Sequence, residues 1–192
     1  LKDNNEIKKF FDELVPFSEL VNYFLEGKEN KISKSLNYNP NKTLVKKAVS
    51  KLVEEMQRKK RRWLSWGEAE AICLKLWPYQ ERSRSLLETL IQENLLREDR
   101  TANQNVILFS FDKLGDFLLA QKFLDKIKTI QELREAFQPN GLLYFTIENL
   151  SDNKGLLEAL AILVPEKFNV ELNEVIHGET NSSIISLIIE SI

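Results

Sequence analysis

The stretch VILFSFDKLGDFLLAQKFLD, residues 106–125, constrains this chain more than any other. It begins as a strand, Val106–Phe111, nearly every residue apolar or aromatic. With no loop between, it becomes an amphipathic helix carrying Leu114, Phe117, Leu118 and Phe123 on its apolar positions. Asp112 is placed to cap that helix, and Asp116 reads as a first-turn acid facing the positive end of the dipole. The helix is expected to pack back under the strand, with Phe111, Leu114 and Phe117 holding the two together.

The residues upstream give this junction a setting. LLRED and VILFSF flank the polar turn RTANQN, a β-hairpin signal. Ser65 followed by Glu68 is a capping box that opens a helix running to about Trp77, stopped by Pro78. PYQERSRSLLETLIQENLLRED reads as a second helix, with Leu86, Leu87, Leu90 and Ile91 on one face. Residues 63–128 therefore read helix, helix, hairpin, helix, which is a winged-helix domain.

The rest is helical, so the expected fold class is mainly α. Residues 1–62 form a helical, lid-like segment. A helix is expected there, broken at Pro16, resumed at Phe17 and ended at Gly27, followed by a turn cluster around Asn37–Asn41. A long helix from Lys42 to about Arg62 carries the stripe Leu44, Val45, Ala48, Val49, Leu52, Val53 and Met56. Residues 129–192 read as short, solenoid-like helices. Thr129 and Glu132 form a second capping box, and breaks are expected at 139–141, at 151–153 and at Pro165. No exact internal period runs through them. The chain starts at Leu1 and stops in the apolar IISLIIESI, so a truncated fragment of a longer protein is expected.

Charge and cysteine content narrow the function classes. One cysteine excludes an internal disulfide and favours a reducing, cytoplasmic setting. No apolar run is long enough to cross a bilayer, so no membrane partner is expected. The net charge is −2, split unevenly: residues 1–100 hold 20 Lys and Arg against 16 Asp and Glu, and residues 101–192 hold 7 against 13. That asymmetry is too small to imply nucleic acid by itself.

Nothing in the chain announces catalysis. There is no GxxxxGK[ST] or GxGxxG phosphate loop. One His and one Cys make no zinc site of the usual kind. Cys73 reads as a buried, inert thiol, and His177 as a helix-end residue favoured by the dipole. The acid pairs Glu54/Glu55, Glu68/Glu70 and Asp112/Asp116 lack the apolar surroundings that raise a pKa for general-acid work. No catalytic, cofactor or metal residue is assigned.

The sharpest local feature is RKKRRW, residues 58–63. Consecutive cations attract phosphate, but on a helix they point all round and form no stripe. The simpler reading is a solvated helix end, in which replacing Lys59 and Arg61 by Gln leaves stability nearly unchanged. The candidate contacts to nucleic acid or an acidic partner are Lys59, Lys60, Arg61 and Arg62, with Arg82 and Arg84 at the start of the second helix. Glu81, Glu88 and Glu93 work against DNA there, so nucleic acid is not the favoured partner. The three Trp residues, 63, 66 and 77, are expected to seal the core.

The order of these signals resembles the region that follows the nucleotide-binding module in STAND-type P-loop ATPases. The likeness is to bacterial, often antiviral, relatives of NACHT and AP-ATPase proteins, and runs over most of residues 15–175. LNYNPNKTLVKKAVSKLVEEM looks like the lid-to-winged-helix connection. RWLSWGEAEAI and LLETLIQENLLRED look like the helix-turn-helix, VILFSFDKLGDFLLAQKFL like the closing strand-to-helix signature, and GLLEALAILVPEKFNVEL like the start of the sensor region. The resemblance implies a non-catalytic regulatory fragment that couples a nucleotide module to C-terminal sensor repeats. ATP and Mg would belong to the parent protein, none to this fragment, and the parent would assemble as a homo-oligomer. Many NACHT relatives place a phosphate-contacting His where this chain has Phe111, so no nucleotide contact is carried over. The rival readings are a winged-helix DNA-binding transcriptional regulator and an enzyme of unknown type.

Overall fold

A computed structural model describes residues 16–59, 61–78, 84–101, 104–143 and 153–176. It is mainly helical, with one small antiparallel sheet. The elements are α1 (Phe17–Leu36), a 3-10 turn (Pro40–Lys42), α2 (Leu44–Arg58), β1 (Leu64–Ser65), α3 (Trp66–Leu76), α4 (Leu86–Gln92), β2 (Leu96–Thr101), β3 (Gln104–Phe109), α5 (Asp112–Asp125), α6 (Ile130–Ala136), α7 (Lys154–Phe168) and α8 (Leu172–Val175). The helix expected over residues 1–15, the hairpin tip at 102–103, most of LLYFTIENL, His177 and the apolar terminus lie outside the described residues, as do Lys60 and Arg82.

The helix expected to stop at Gly27 runs on to Leu36, where Asn37 closes it in the left-handed conformation. Gly27 is exposed and met by nothing. Its helix cost of about 1 kcal/mol is small beside the burial of Leu25, Ile32 and Leu36, each worth about 1.5–3 kcal/mol. The extra turns bring Glu29 beneath α2. Its buried carboxylate accepts from the N–H groups of Leu44 at 2.9 Å and Val45 at 2.8 Å and from the Tyr38 hydroxyl at 2.6 Å. A side chain from α1 thus satisfies the orphan donors of the next helix and meets its positive end. α2 is shorter than expected at both ends, but its whole predicted stripe is buried.

β3 is the middle strand of the sheet, in the order β1-β3-β2. Leu64 pairs with Ile107, and Leu96 with Phe109, in antiparallel register. The hairpin strands reach Thr101 and Gln104, well into the segment read as a turn. β3 ends at Phe109, two residues before the expected limit. Phe111 is 55% exposed and meets the Phe24 ring edge-on, with centroids 6.3 Å apart. Phe109 therefore takes the role expected of Phe111. Its ring lies against Gly115, where a Cβ would stand 3.0 Å from Cδ2, so a larger residue there would press the ring back by a few tenths of an ångström.

α5 is buried on most of its circumference. Leu114, Asp116, Phe117, Leu118, Ala120, Phe123 and Leu124 are all inside, because α2 and the sheet cover one side and α7 the other. Asp112 makes no cap. Phe111 is the N-cap residue, and Asp112 pairs with Arg97 at 3.4 Å. At α6 the second capping box is one-sided. The Glu132 N–H donates to Thr129, but the Glu132 carboxylate accepts from Lys128. Pro165 lies inside α7 rather than ending it. Leu160, Leu163 and Val164 anchor that turn in the core, and Asn169 closes the helix in the left-handed region. The Phe17 N–H donates to Glu166 of α7 at 3.0 Å, tying the first described helix to this late one.

Candidate functional site

The basic run is not a helix end in solvent. α2 stops at Arg58, and before β1 the Arg61 N–H turns back to the Met56 carbonyl. That turn carries the cations back onto the molecule. Lys59 Nζ and Arg61 Nη2 both donate to the Glu68 carboxylate, the guanidinium at 2.7 and 2.5 Å. The Ser65 N–H donates to the same group at 2.7 Å, completing the predicted capping box. Burial would raise the Glu68 pKa. The hydrogen bonds from Lys59 and Ser65, with the Arg61 charge, outweigh it and hold the carboxyl at about 2. Arg61 also lies over the Trp63 ring, 4.1 Å from its centroid.

Arg62 turns to the other side. Its Nη1 lies 2.7 Å from Oδ1 of Asp116, whose side chain is only 6% exposed. Asp116, expected as a first-turn acid, is thus also a buried partner. Burial raises its pKa, and Arg62 pulls in the opposite direction. Its second oxygen is pressed against the first turn of α7. A Cβ on Gly155 would fall within the Asp116 carboxyl, with Cγ only 2.8 Å away. Three parts of the chain meet at this carboxylate: the turn after α2, α5 and α7.

The other candidate residues are placed as follows. Lys59, Arg61 and Arg62 are held by internal acids. Arg84 is exposed, just before Ser85, the N-cap of α4. Arg84 lies at the start of α4, whereas Lys59, Arg61 and Arg62 lie between α2 and β1. α4, which would be the DNA-reading helix, is short and buries Leu86, Leu87, Thr89 and Leu90. α1 packs beside it, with Lys28 Nζ donating to the Glu93 backbone carbonyl. What α4 leaves exposed or half-buried is Glu88, Ile91 and Gln92. Trp66 and Trp77 pack against the core edge, and Trp63 carries Arg61. Cys73 is buried, and that burial, with Glu70 nearby, pushes its thiol up to about 12. No nucleophile results.

Phe111 holds the position at which the STAND resemblance would put a phosphate-contacting side chain. Its ring offers no donor and rests on Phe24, so these residues do not fit a nucleotide phosphate. Sequence reasoning missed Glu29 and the pairing of Asp116. Glu29 falls at helical spacing on the buried stripe Val21, Leu25, Ile32 and Leu36, and Asp116 lies between Leu114 and Phe117; an acid on an apolar face is the signal that it has partners. Among the described residues, no helix is long and apolar enough to cross a membrane. Compared with protein-family models, curated proteins and solved structures, the chain gives no match.

Proposed function

We propose that this chain is a non-catalytic regulatory segment of a STAND-type signalling ATPase, in which a winged helix joins a nucleotide module to a helical sensor region. The observation that carries the reading is the Asp116 junction. In it the turn after α2, the strand-to-helix element and α7 are tied at one buried carboxylate. Elements joined that way move as one body, which is what a switch between two packings needs. The order helix, strand, helix, helix, hairpin, with β3 between β1 and β2, supports the winged-helix part. On this reading α2 supplies the first helix of the unit, which then begins at Leu44 rather than at Trp63. α6, α7 and α8 open the solenoid-like part. The partners are the nucleotide module, which would hold ATP and Mg, and the sensor repeats. Phe111 leaves this winged helix without a phosphate contact of its own, so its influence on the nucleotide module would be by packing.

The test is the reading frame upstream of Leu1. A GxxxxGK[ST] loop followed by an acidic metal-binding strand is expected, and the full-length protein should then assemble with nucleotide. A frame without such a loop removes the STAND reading. The DNA reading is tested by titrating duplex DNA at rising salt. Weak binding is expected, since Arg58, Lys59, Arg61 and Arg62 are paired with acids and α4 is largely covered. Tight binding with a steep salt slope would put DNA first.

A further inference from the structure

A cavity of about 290 Å³ opens between α2, the turn at 61–62, the hairpin and the start of α5. That is at the small end of ligand pockets, which run from about 300 to 1,000 Å³. Its floor is apolar, made by Val53, Met56, Leu108, Phe109 and Leu119. Its polar lining is three arginines, 61, 62 and 97, against two aspartates, 112 and 116. The arginines are not equivalent. Arg62 is committed to Asp116, and Arg61 to Glu68. Among the described residues Arg97 is held only by Asp112 at 3.4 Å, and both side chains are exposed, 46% and 75%. An exposed pair of that kind contributes little to stability, so exchanging its acid for another costs little. Arg97 stands directly across from Leu108 in the hairpin register, so a fork of donors borders the apolar floor. The Arg61 Nε is buried without a hydrogen-bond partner among the described residues.

We infer that this cavity binds a small organic monocarboxylate whose aliphatic or aromatic body lies on the Met56–Leu119 floor and whose carboxylate takes Arg97 from Asp112. A planar carboxylate matches a guanidinium fork in two parallel hydrogen bonds. A phosphate dianion suits the cavity less, because Asp112 and Asp116 share the wall and repel the second charge. A neutral apolar molecule would leave the cation unused. The inference stands on the cavity itself and is independent of the ATPase reading.

The test uses the whole chain and the probe 2-naphthoate, followed by calorimetry and by ligand-observed NMR. Saturable binding at one site is expected. Naphthalene-2-methanol, the same body without the charge, should bind about tenfold or more weakly, and so should 2-naphthoate to Arg97→Gln. Inorganic phosphate should not displace the probe. Leu119→Trp fills the floor and should abolish binding. Arg97 is exposed on a hairpin strand, so Arg97→Gln decides the matter even if Leu119→Trp fails to fold. Absence of saturable binding, equal binding of the neutral alcohol, equal binding by Arg97→Gln, or displacement by phosphate would each overturn the inference.

Discussion

Glu68 shows how one residue changes the meaning of a motif. As a sequence, RKKRR reads as cations at a helix end, because helical periodicity carried past Arg58 spreads them round the axis. The helix stops there instead, and the Arg61 N–H bonds back to the Met56 carbonyl at 3.1 Å. That closure brings Lys59 and Arg61 to one carboxylate. The expectation that Lys59 and Arg61 are dispensable is therefore replaced. Changing both to Gln should lower stability by about 1–3 kcal/mol, read as a shift of the urea midpoint with unchanged slope. Glu68→Gln should cost about 1–2 kcal/mol, less than a fully buried ion pair, because a quarter of the side chain is open to water. Its pH dependence has a definite sign. The folded-state pKa is depressed to about 2 from 4.5, so the contribution is complete above about pH 4.5 and fades as the pH falls towards 2. The gap between wild type and Glu68→Gln should be widest near neutrality and narrow across that window. A gap constant from pH 7 to pH 2 would mean that the carboxylate does not carry it. The capping box itself was legible, since Ser65 and Glu68 are three residues apart. The cations that join it were not, because a turn has no period to extrapolate.

At the scale of elements, what was legible follows from period and what was missed follows from packing. The α2 stripe could be read directly, since seven apolar residues at helical spacing have one geometric solution. β1 could not, because two residues hold no alternation; it exists because β3 leaves an edge for Leu64 to pair with. Gly27 and Pro165 were read as breaks, and tertiary burial on either side of each carries the helix through. The contacts of α5 with α1 and with α7 are likewise invisible in sequence, and each makes a prediction. Phe117 is 1% exposed, and its ring meets Phe17 edge-on at 5.1 Å. Phe117→Ala should cost about 3–5 kcal/mol, measured by denaturant unfolding. Gly155→Ala should cost about 1–3 kcal/mol or more, because the new methyl has no room beside the Asp116 carboxyl. If that collision is the cause, Asp116→Ala should recover part of the loss in a double-mutant cycle, with a coupling of at least about 0.5 kcal/mol. Additive losses would mean that α7 does not lie against Asp116.

The described residues share one continuous core. Charge and punctuation divide the sequence near residues 63 and 129, yet buried residues from Val21 to Ile176 belong to a single apolar cluster. Sequence places boundaries where local signals change, whereas cooperativity depends on which faces end up in contact. Here α5 is shared: its one side completes the sheet unit and its other side receives α7. Glu166 and Phe17 tie the first and late helices a second time. Such a molecule should unfold as one unit, and the distribution of tryptophan offers a direct check. Trp63 and Trp66 flank β1 and Trp77 meets the Tyr38 ring at 5.5 Å, so tryptophan fluorescence reports the part of the chain that precedes α5. Far-ultraviolet circular dichroism reports every helix, including α6, α7 and α8. The two urea curves should coincide in midpoint and slope. Arg62→Gln, which releases the turn after α2 from Asp116 while leaving the rest of the core intact, should shift both together. Fluorescence and dichroism separating in the wild type would show α7 and the sheet unit to be independent. The rigid coupling on which the regulatory reading depends would then be lost, whatever the reading frame upstream encodes.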